Sequence, residues 1–297
     1  MTRALLPGLV ASAVGYGPTG ERQSIHRGLP SPYLTFIFSL AGPVVTGHTI
    51  AHASGHEARR TDIVLGGLTH QPSYVRPDPD QRGVQLAVHP LAARALFGLP
   101  ARELAEVMDG ADVLGADAER LRQRLAEETN WPSRFRLVQA FLRERVERRP
   151  AERVRPEVAE AWRWLGWHRG GGSMSGLARH VELSGRQLGT LFARELGASP
   201  KQVGRLMRFD HAKQRISRAV YEGRPLDLTG IALDCGYYDH AHLDRDFAQF
   251  RRSLPLGEPE RTHEPSVSQP AVIRHSGPRH PTTGEGSPFC QGLAFSR

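Results

Sequence analysis

Residues 177–192 read LARHVELSGRQLGTLF and residues 231–247 read IALDCGYYDHAHLDRDF, one pattern written twice. In each, an apolar–Ala pair on a short helix (Leu177-Ala178, Ile231-Ala232) is followed by a tight turn. The helix after the turn carries a Leu and a Phe four residues apart on one face: Leu188 and Phe192, then Leu243 and Phe247. A helix-turn-helix is built this way, because its first helix must approach the inner face of the second closely, which an Ala permits. Two such units joined by a long helix, from Pro200 to about Ala219, predict a protein that grips duplex DNA at two adjacent major grooves.

The core stripe of each second helix defines its outward side. With Leu188, Leu191 and Phe192 inward, the helix that starts at Ser184 presents Gly185, Arg186, Gly189, Thr190 and Arg194. With Leu243 and Phe247 inward, the later one presents His240, Ala241, Asp244 and Arg245. Arg can pair bidentately with guanine, Thr can meet a thymine methyl, and His can donate to a base or phosphate. One-turn spacing, about 34 Å, would put both helices on one face of the duplex. The start signals are sharp. Ser184-Gly-Arg-Gln187 and Ser199-Pro-Lys-Gln202 have the capping-box form, the second with Pro200 at the first helical position, and Asp227 and Asp239 are candidate N-caps.

Charge agrees with a polyanionic partner without selecting one. The 297 residues hold 39 Lys+Arg against 31 Asp+Glu, a formal charge of +8. Between Arg179 and Arg224 ten basic residues face four acidic ones, so the first unit and the linking helix carry much of the surplus. Phosphate contacts from them would supply affinity and make it salt-dependent; the competing use for Arg205 and Arg208 is in ion pairs with Asp210 or Asp234. Two cysteines, Cys235 and Cys290, exclude a disulfide scaffold and a four-cysteine zinc site, and Cys235 reads as a small core residue. No apolar run reaches the roughly 20 residues that span a bilayer. The opening MTRALLPGLVASAVGYG has a superficial signal-peptide look, but its apolar run is short and broken by Pro7-Gly8, so a cytoplasmic protein is expected.

Upstream, residues 1–100 carry the strand signal. Tyr33–Leu40, Asp62–Gly67 and Val84–Val88 are β-branched or apolar runs separated by Gly and Pro. With no crossover helices between them they point to a small barrel or sandwich. Leu91–Phe97 reads as a short helix closed by Gly98, and Ala118–Glu128 and Arg134–Arg148 have helical periodicity, so residues 101–155 form a helical connector. The double helix-turn-helix domain then spans 156–255. Residues 256–297, rich in Pro, Ser and Gly, read as a disordered tail. The fold class expected is α+β, a β-rich domain with a helical segment followed by an all-α domain and that tail.

Residues 174–247 resemble the DNA-binding domain of the AraC family of bacterial transcription regulators. The matching residues include Leu177-Ala178, Leu183-Ser184, Arg186-Gln187-Leu188, Leu191-Phe192, Leu196–Pro200, Arg205, Arg208, Ala212, Ile231-Ala232, Cys235-Gly236-Tyr237, Asp239, His242-Leu243 and Arg245–Phe247. Residues 66–73 and 85–100 are similar to the β-rich sensor or dimerisation region of one AraC-type subgroup, which in the family can be a cupin-like barrel. The resemblance implies a sequence-specific transcription regulator on promoter DNA. It leaves a small-molecule effector, a homodimer and RNA polymerase as candidate further partners, with no membrane partner and no cofactor.

The chain departs from that pattern at Gly189, which supplies no side chain where a polar reader is common, and at Asp244, an acid on the second recognition face. Gly230 weakens the helix before the second turn. After Phe250 the usual family ending gives way to Arg251-Arg252-Ser253-Leu254-Pro255 and the tail. The rival reading is a metal-dependent cupin-like enzyme or small-molecule-binding protein with an accessory DNA-binding domain, for which His48, His52, His56 and Glu57 are the candidate ligands. Their spacing lacks the H-x-H pair of cupin sites, and Ala53-Ser54-Gly55 in their midst is turn-like. No P-loop, G-x-S-x-G or dinucleotide fingerprint appears, and no cysteine precedes Cys235 to serve as a methyl-accepting repair nucleophile. No enzymatic activity is expected.

Overall fold

The computed structural model describes residues 6, 8–18, 25–69, 71–104, 107–149, 154–252 and 271–273. In chain order the N-terminal region comprises β1 (Val10–Tyr16), β2 (His26–Gly28), β3 (Leu34–Ser39), β4 (Val44–Gly47), α1 (Ile50–Ser54), β5 (Arg59–Thr61), β6 (Ile63–Gly66), β7 (Ser73–Arg76) and β8 (Gly83–Val88). A 3-10 turn (Pro90–Ala92), α2 (Ala93–Phe97), a second 3-10 turn (Ala101–Leu104) and β9 (Met108–Asp109) follow. Then come α3 (Gly110–Leu114), α4 (Ala116–Glu127), α5 (Trp131–Arg148), α6 (Pro156–Trp167), α7 (Met174–His180), α8 (Gly185–Leu196), α9 (Pro200–Tyr221), α10 (Leu228–Asp234) and α11 (His240–Arg252). A last strand, β10 (Ala271–Ile273), pairs antiparallel with β1.

The strands form two antiparallel sheets, ordered β10-β1-β8-β3-β6-β9 and β2-β7-β4-β5. The α+β class, with β-rich first part and helical last part, is thus the observed one. The three expected strands are β3, β6 and β8, which lie side by side in the larger sheet. The opening segment with the superficial leader character supplies β1, registered on β8 from Val10↔Val88 to Tyr16↔Gly83. The expected disordered tail lies outside the described residues, apart from Ala271–Ile273, which are a strand rather than coil.

Period-2 burial fixes the inner face of the large sheet. Leu34, Phe36 and Phe38 are fully buried, while Thr35 and Ile37 between them are half-exposed. The Phe36 ring stands edge-on to Phe97 of α2 at 5.4 Å, and Phe38 edge-on to Phe141 of α5 at 6.3 Å. Helix α5 is also pinned from below: buried Arg134 donates to the carbonyls of Leu125 (3.0 Å) and Glu128 (2.5 Å), and Arg145 to that of Leu96 (2.6 Å). The charged look of this segment therefore conceals two arginines that work as internal braces.

The apolar core does not stop where the connector ends. One contiguous cluster runs from Val10 through the sheet, Val138 and Leu142 of α5, Trp162 and Leu165 of α6, and Leu188, Phe192 and Leu196 of α8 to Val203 of α9. Helix α8 rests on the two 3-10 turns of the N-terminal region. There Arg94 Nε donates to both carboxylate oxygens of Glu195, at 2.8 and 3.1 Å, and only 11% of the Glu195 side chain is exposed. Beyond Val203 the packing breaks into two small clusters. One holds Ala212, Ile231, Ala232, Cys235, Tyr237 and Leu243; the other holds Leu206, Phe209 and Phe250.

His89 sits at this junction. Its backbone N–H donates to the Leu9 carbonyl at 2.8 Å, and its ring lies between Tyr33 (6.4 Å) and Trp162 (4.9 Å). Its Nδ1 has no hydrogen-bond partner among the described residues. Burial among apolar groups disfavours the imidazolium and pushes the pKa down to about 4. The unfolded chain takes up that proton near pH 6.5 and the folded one does not. Stability from the neutral ring is therefore present above about pH 6.5 and is lost as pH falls through that window toward about 4. The expected slope is at most about 1.4 kcal/mol per pH unit for one proton. Urea midpoints measured for the protein and for His89→Leu should diverge in their pH dependence over this interval, with the variant flatter. His26 and His211, also lowered by burial, titrate in both proteins and cancel in the comparison.

Candidate nucleic-acid interface

The two repeated segments cap their first helix and close the turn after it alike. In the first, Ser173 caps α7 by accepting from Gly176 N–H at 3.0 Å, and Leu177 and Ala178 point into the core. The chain leaves α7 with Leu183 N–H on the Ala178 carbonyl (3.0 Å), after Glu182 has adopted a left-handed φ of 54°. In the second, Asp227 caps α10, and Tyr237 N–H returns to the Ala232 carbonyl (2.9 Å) after Gly236 at φ 80°. The same six-to-one closure thus follows each Ala, with the left-handed residue four positions past it. Helix α8 then opens with a complete capping box between Ser184 and Gln187, and α9 repeats the device with Ser199 and Gln202. Asp239 accepts from His242 N–H at 2.6 Å to start α11.

Gly230 lies in the first turn of α10. A Cβ there would lie 2.2 Å from Asp227 Oδ2, so the glycine makes room for the carboxylate that caps α10. Cys235 is fully buried in the second unit's core, and burial pushes its thiol up.

Both predicted faces are turned outward. On α8, Arg186, Thr190 and Arg194 are exposed, Gly185 opens the helix on the exposed side, and Gly189 is half-exposed. The opposite face carries Leu188, Phe192 and Leu196 in the core; Leu191, expected inward, is only half-buried. Thr190 Oγ1 donates to the Arg186 carbonyl at 3.0 Å. On α11, Ala241, Asp244 and Arg245 are exposed and His240 is half-exposed, its Nε2 3.3 Å from Asp244 Oδ1. Leu243 is buried, and Phe247, expected fully inward, is half-buried against Phe209 at 4.7 Å.

Ion pairing sorts the basic residues of the segment into two groups. Arg205 pairs with Asp246 at 2.9 Å, reaches Gln249 at 2.5 Å, and lies over the Phe250 ring. Arg208 lies over the Tyr237 ring at 5.1 Å and approaches the Gly236 carbonyl at 3.5 Å. The anticipated partners Asp210 and Asp234 are taken instead by Lys213 (2.9 Å) and Arg215 (2.8 Å), because these project from the turns of α9 nearest those carboxylates. Arg218 and Arg224 share Glu222. Among the described residues between Arg179 and Arg224 this leaves Arg179, Arg186, Arg194 and Lys201 exposed and without an ion pair, all of them on α7, α8 or the first turn of α9; on α11, Arg245 is likewise exposed and without an ion pair.

Residues 177–257 match the family model described as a helix-turn-helix domain. They form an AraC-type helix-turn-helix domain. A helix-turn-helix domain supports a DNA-binding role for this part of the chain. No curated protein matches the chain. Among solved structures, ToxT from Vibrio cholerae O395 is 8% identical over 80% of this chain and 92% of that one, with a TM-score of 0.44. The unsaturated fatty acid bound wild-type ToxT of Vibrio cholerae strain SCE256 is 7% identical over 82% and 91%, with a TM-score of 0.42.

The histidines of the rival metal reading are placed otherwise. His48 and His52 are 5.6 Å apart ring to ring; His52 Nδ1 accepts from the His48 N–H, and its Nε2 lies 2.8 Å from the Glu57 carbonyl. Among the described residues, no three His, Cys, Asp or Glu side chains are grouped to hold a metal ion. No described helix is long and apolar enough to cross a membrane.

One surface residue of the second unit was passed over in the sequence. Tyr238 is 87% exposed on the turn directly before α11. Its signal was the doublet Tyr237-Tyr238: consecutive residues cannot both enter one small core, and Tyr237 fills it. The matched turns also make a measurable pair. Gly236→Ala should cost about 1–2 kcal/mol, the penalty for a Cβ in left-handed backbone; the cost is purely conformational, since such a Cβ meets nothing closer than 3.8 Å. Glu182→Gly, relieving the same conformation in the first unit, should leave stability unchanged or raised. Urea unfolding of both variants checks the contrast, and equal losses would show that the turns are not equivalent.

Proposed function

We propose that this protein is a transcription regulator that reads two adjacent major grooves of promoter DNA, with α8 in one and α11 in the next. The observation that carries the reading is the concentration of unpaired cations around α8, on a helix whose other face is locked in the core. Arg186 and Arg194 are the base or phosphate contacts of the first unit, with Arg179 and Lys201 on flanking phosphates. Thr190 spends its hydroxyl on the Arg186 carbonyl, so its methyl is what remains to meet a thymine. A Cβ at Gly185 or Gly189 would meet nothing within 4 Å, so neither glycine is required by packing. Both leave the helix surface low, which lets the groove edge come close.

In the second unit His240, Ala241, Arg245 and Tyr238 face the DNA. Asp244 lies one turn from His240, with Oδ1 3.3 Å from its Nε2, and is suited to accept from cytosine N4. Affinity rests mainly on the first unit, and the second adds selectivity. The N-terminal region senses a signal, mediates self-association, or both. The shared core and the Arg94–Glu195 pair support this reading, since they put any change in that region in direct contact with α8.

Selection from random duplexes should return a defined site. On that site Arg186→Ala should lose about 1–3 kcal/mol of discrimination, the worth of a bidentate guanine contact. On random DNA the loss should be far smaller, with the slope of log K against log salt reduced by about one ion. Equal losses on both duplexes would make Arg186 a phosphate contact only, and failure to select any site would overturn the sequence-specific reading.

A further inference from the structure

The second helix-turn-helix has its own small core, and α9 carries it away from the body that contains the sheet and the first unit. A separate contact bridges the two. The loop 168–172 leaves α6, whose Val158, Ala161, Trp162 and Leu165 belong to the large core, and wedges between α9 and the second unit. Its Gly170 lies flat on α9: a Cβ there would fall 2.0 Å from the Gly204 carbonyl oxygen, and one on Gly204 would fall 2.9 Å from that of Gly170. Gly171 comes up to the turn of the second unit, 3.9 Å from where a Cβ on Gly236 would sit.

Arg169 is the residue of this loop that reaches across. It holds a left-handed φ of 53°, a conformation that costs an ordinary side chain about 1–2 kcal/mol. From there its Nη1 donates to the carbonyl of Asp234 at 2.7 Å. Asp234 is the last residue of α10, so the guanidinium meets an orphaned carbonyl at the negative end of the helix. The Asp234 carboxylate is held in turn by Arg215 of α9 at 2.8 Å. Arg208, also on α9, clasps the same turn through Tyr237 and Gly236. The end of α10 is thus gripped from two bodies, α9 and the α6–α7 loop, and a strained backbone is retained at the one point where the second grip is made.

We infer that Arg169 is a positioning residue for DNA binding: by capping α10 from the α6–α7 loop it fixes the angle and spacing of the second recognition helix relative to the first. The inference rests on the two-groove reading above. Arg169 itself touches no base. Its work is to hold the second binding event, already intramolecular through α9, at a defined geometry, so that the two half-sites act as one site only at the right separation.

The discriminating variant is Arg169→Gly, which removes the guanidinium while relieving the left-handed backbone, so the fold is not put at risk. Arg169→Lys restores a cation that can reach the carbonyl. Binding is measured on the selected duplex, on a duplex keeping only the half-site of the first unit, and on duplexes with one or two base pairs added or removed between half-sites. The native protein should prefer the full site and lose affinity steeply when spacing changes. Arg169→Gly should bind the full site about tenfold more weakly, bind the single half-site as the native protein does, and respond little to spacing; Arg169→Lys should recover part of both. A glycine variant with native full-site affinity and native spacing dependence overturns the inference alone. A native protein that binds full and single half-sites equally refutes the two-groove reading, and the inference with it.

Discussion

Helix α8 has to satisfy two masters, and most of the structure follows from how it does so. Leu188, Phe192 and Leu196 are sunk in the same core that holds Phe36, Phe38 and Leu142, while Arg186, Thr190 and Arg194 stand in solvent on the other side. Burial on one face removes the helix's freedom to roll or slide, because apolar contacts in a dense core have few alternative packings. The outward residues are therefore presented at a fixed angle to the whole N-terminal half. The Arg94–Glu195 pair adds direction to that contact: a carboxylate this deeply placed is costly unless its cation is present, so the helix end has one seat.

The distribution of charge follows from the same division. A count of Arg and Lys over the segment suggests a basic surface spread along α9. Yet half of the Lys and Arg residues of α9 are consumed holding the second unit to it: Arg205 to Asp246, Arg208 to the Tyr237 turn, and Arg215 to Asp234. Exposed α9 pairs such as Arg218–Glu222 contribute little to stability, but they do neutralise positive charge that would otherwise face a phosphate. The exposed cations left without an ion pair between Arg179 and Arg224 cluster on α7, α8 and the start of α9, with Arg245 of α11 the counterpart in the second unit. Net charge indicated the type of partner, and ion pairing decides where that partner is met.

Much of this was legible in the chain because the helix-turn-helix is encoded locally. Caps, turns and the Leu-Phe stripe are short-range signals, and Ser184, Ser199, Asp227 and Asp239 cap the helices they were read to cap. Likewise β3, β6 and β8 were readable as continuous apolar runs. The short strands β2, β4, β5 and β7 were not: three or four residues carry too little periodicity, and their pairing is set by partners distant in sequence. Strand β1 was obscured because its apolar run is short and superficially leader-like, and its pairing partner β8 is distant in sequence. At Gly230 the sequence shows the propensity cost of a glycine but not the Asp227 carboxylate that lies where its Cβ would be. Which carboxylate each arginine of α9 would choose was likewise tertiary information.

The doubled pattern therefore describes two units of unequal standing. The first is part of a large body and inherits its rigidity from the sheet, α5 and α6. The second closes around a handful of residues, Ala212, Ile231, Ala232, Tyr237 and Leu243 among them, and such a small core cannot resist displacement on its own. Its orientation depends on whatever holds it to α9 and to the loop 168–172. A polar grip is suited to that task, since hydrogen bonds to one carbonyl and one carboxylate specify direction in a way that apolar contact does not. The strained Arg169 backbone is then intelligible as the cost of placing a donor where the end of α10 needs it. Under the two-groove proposal, rigidity in the first unit and directed polar attachment in the second are two solutions to one requirement, that two helices arrive at a duplex with their separation already set.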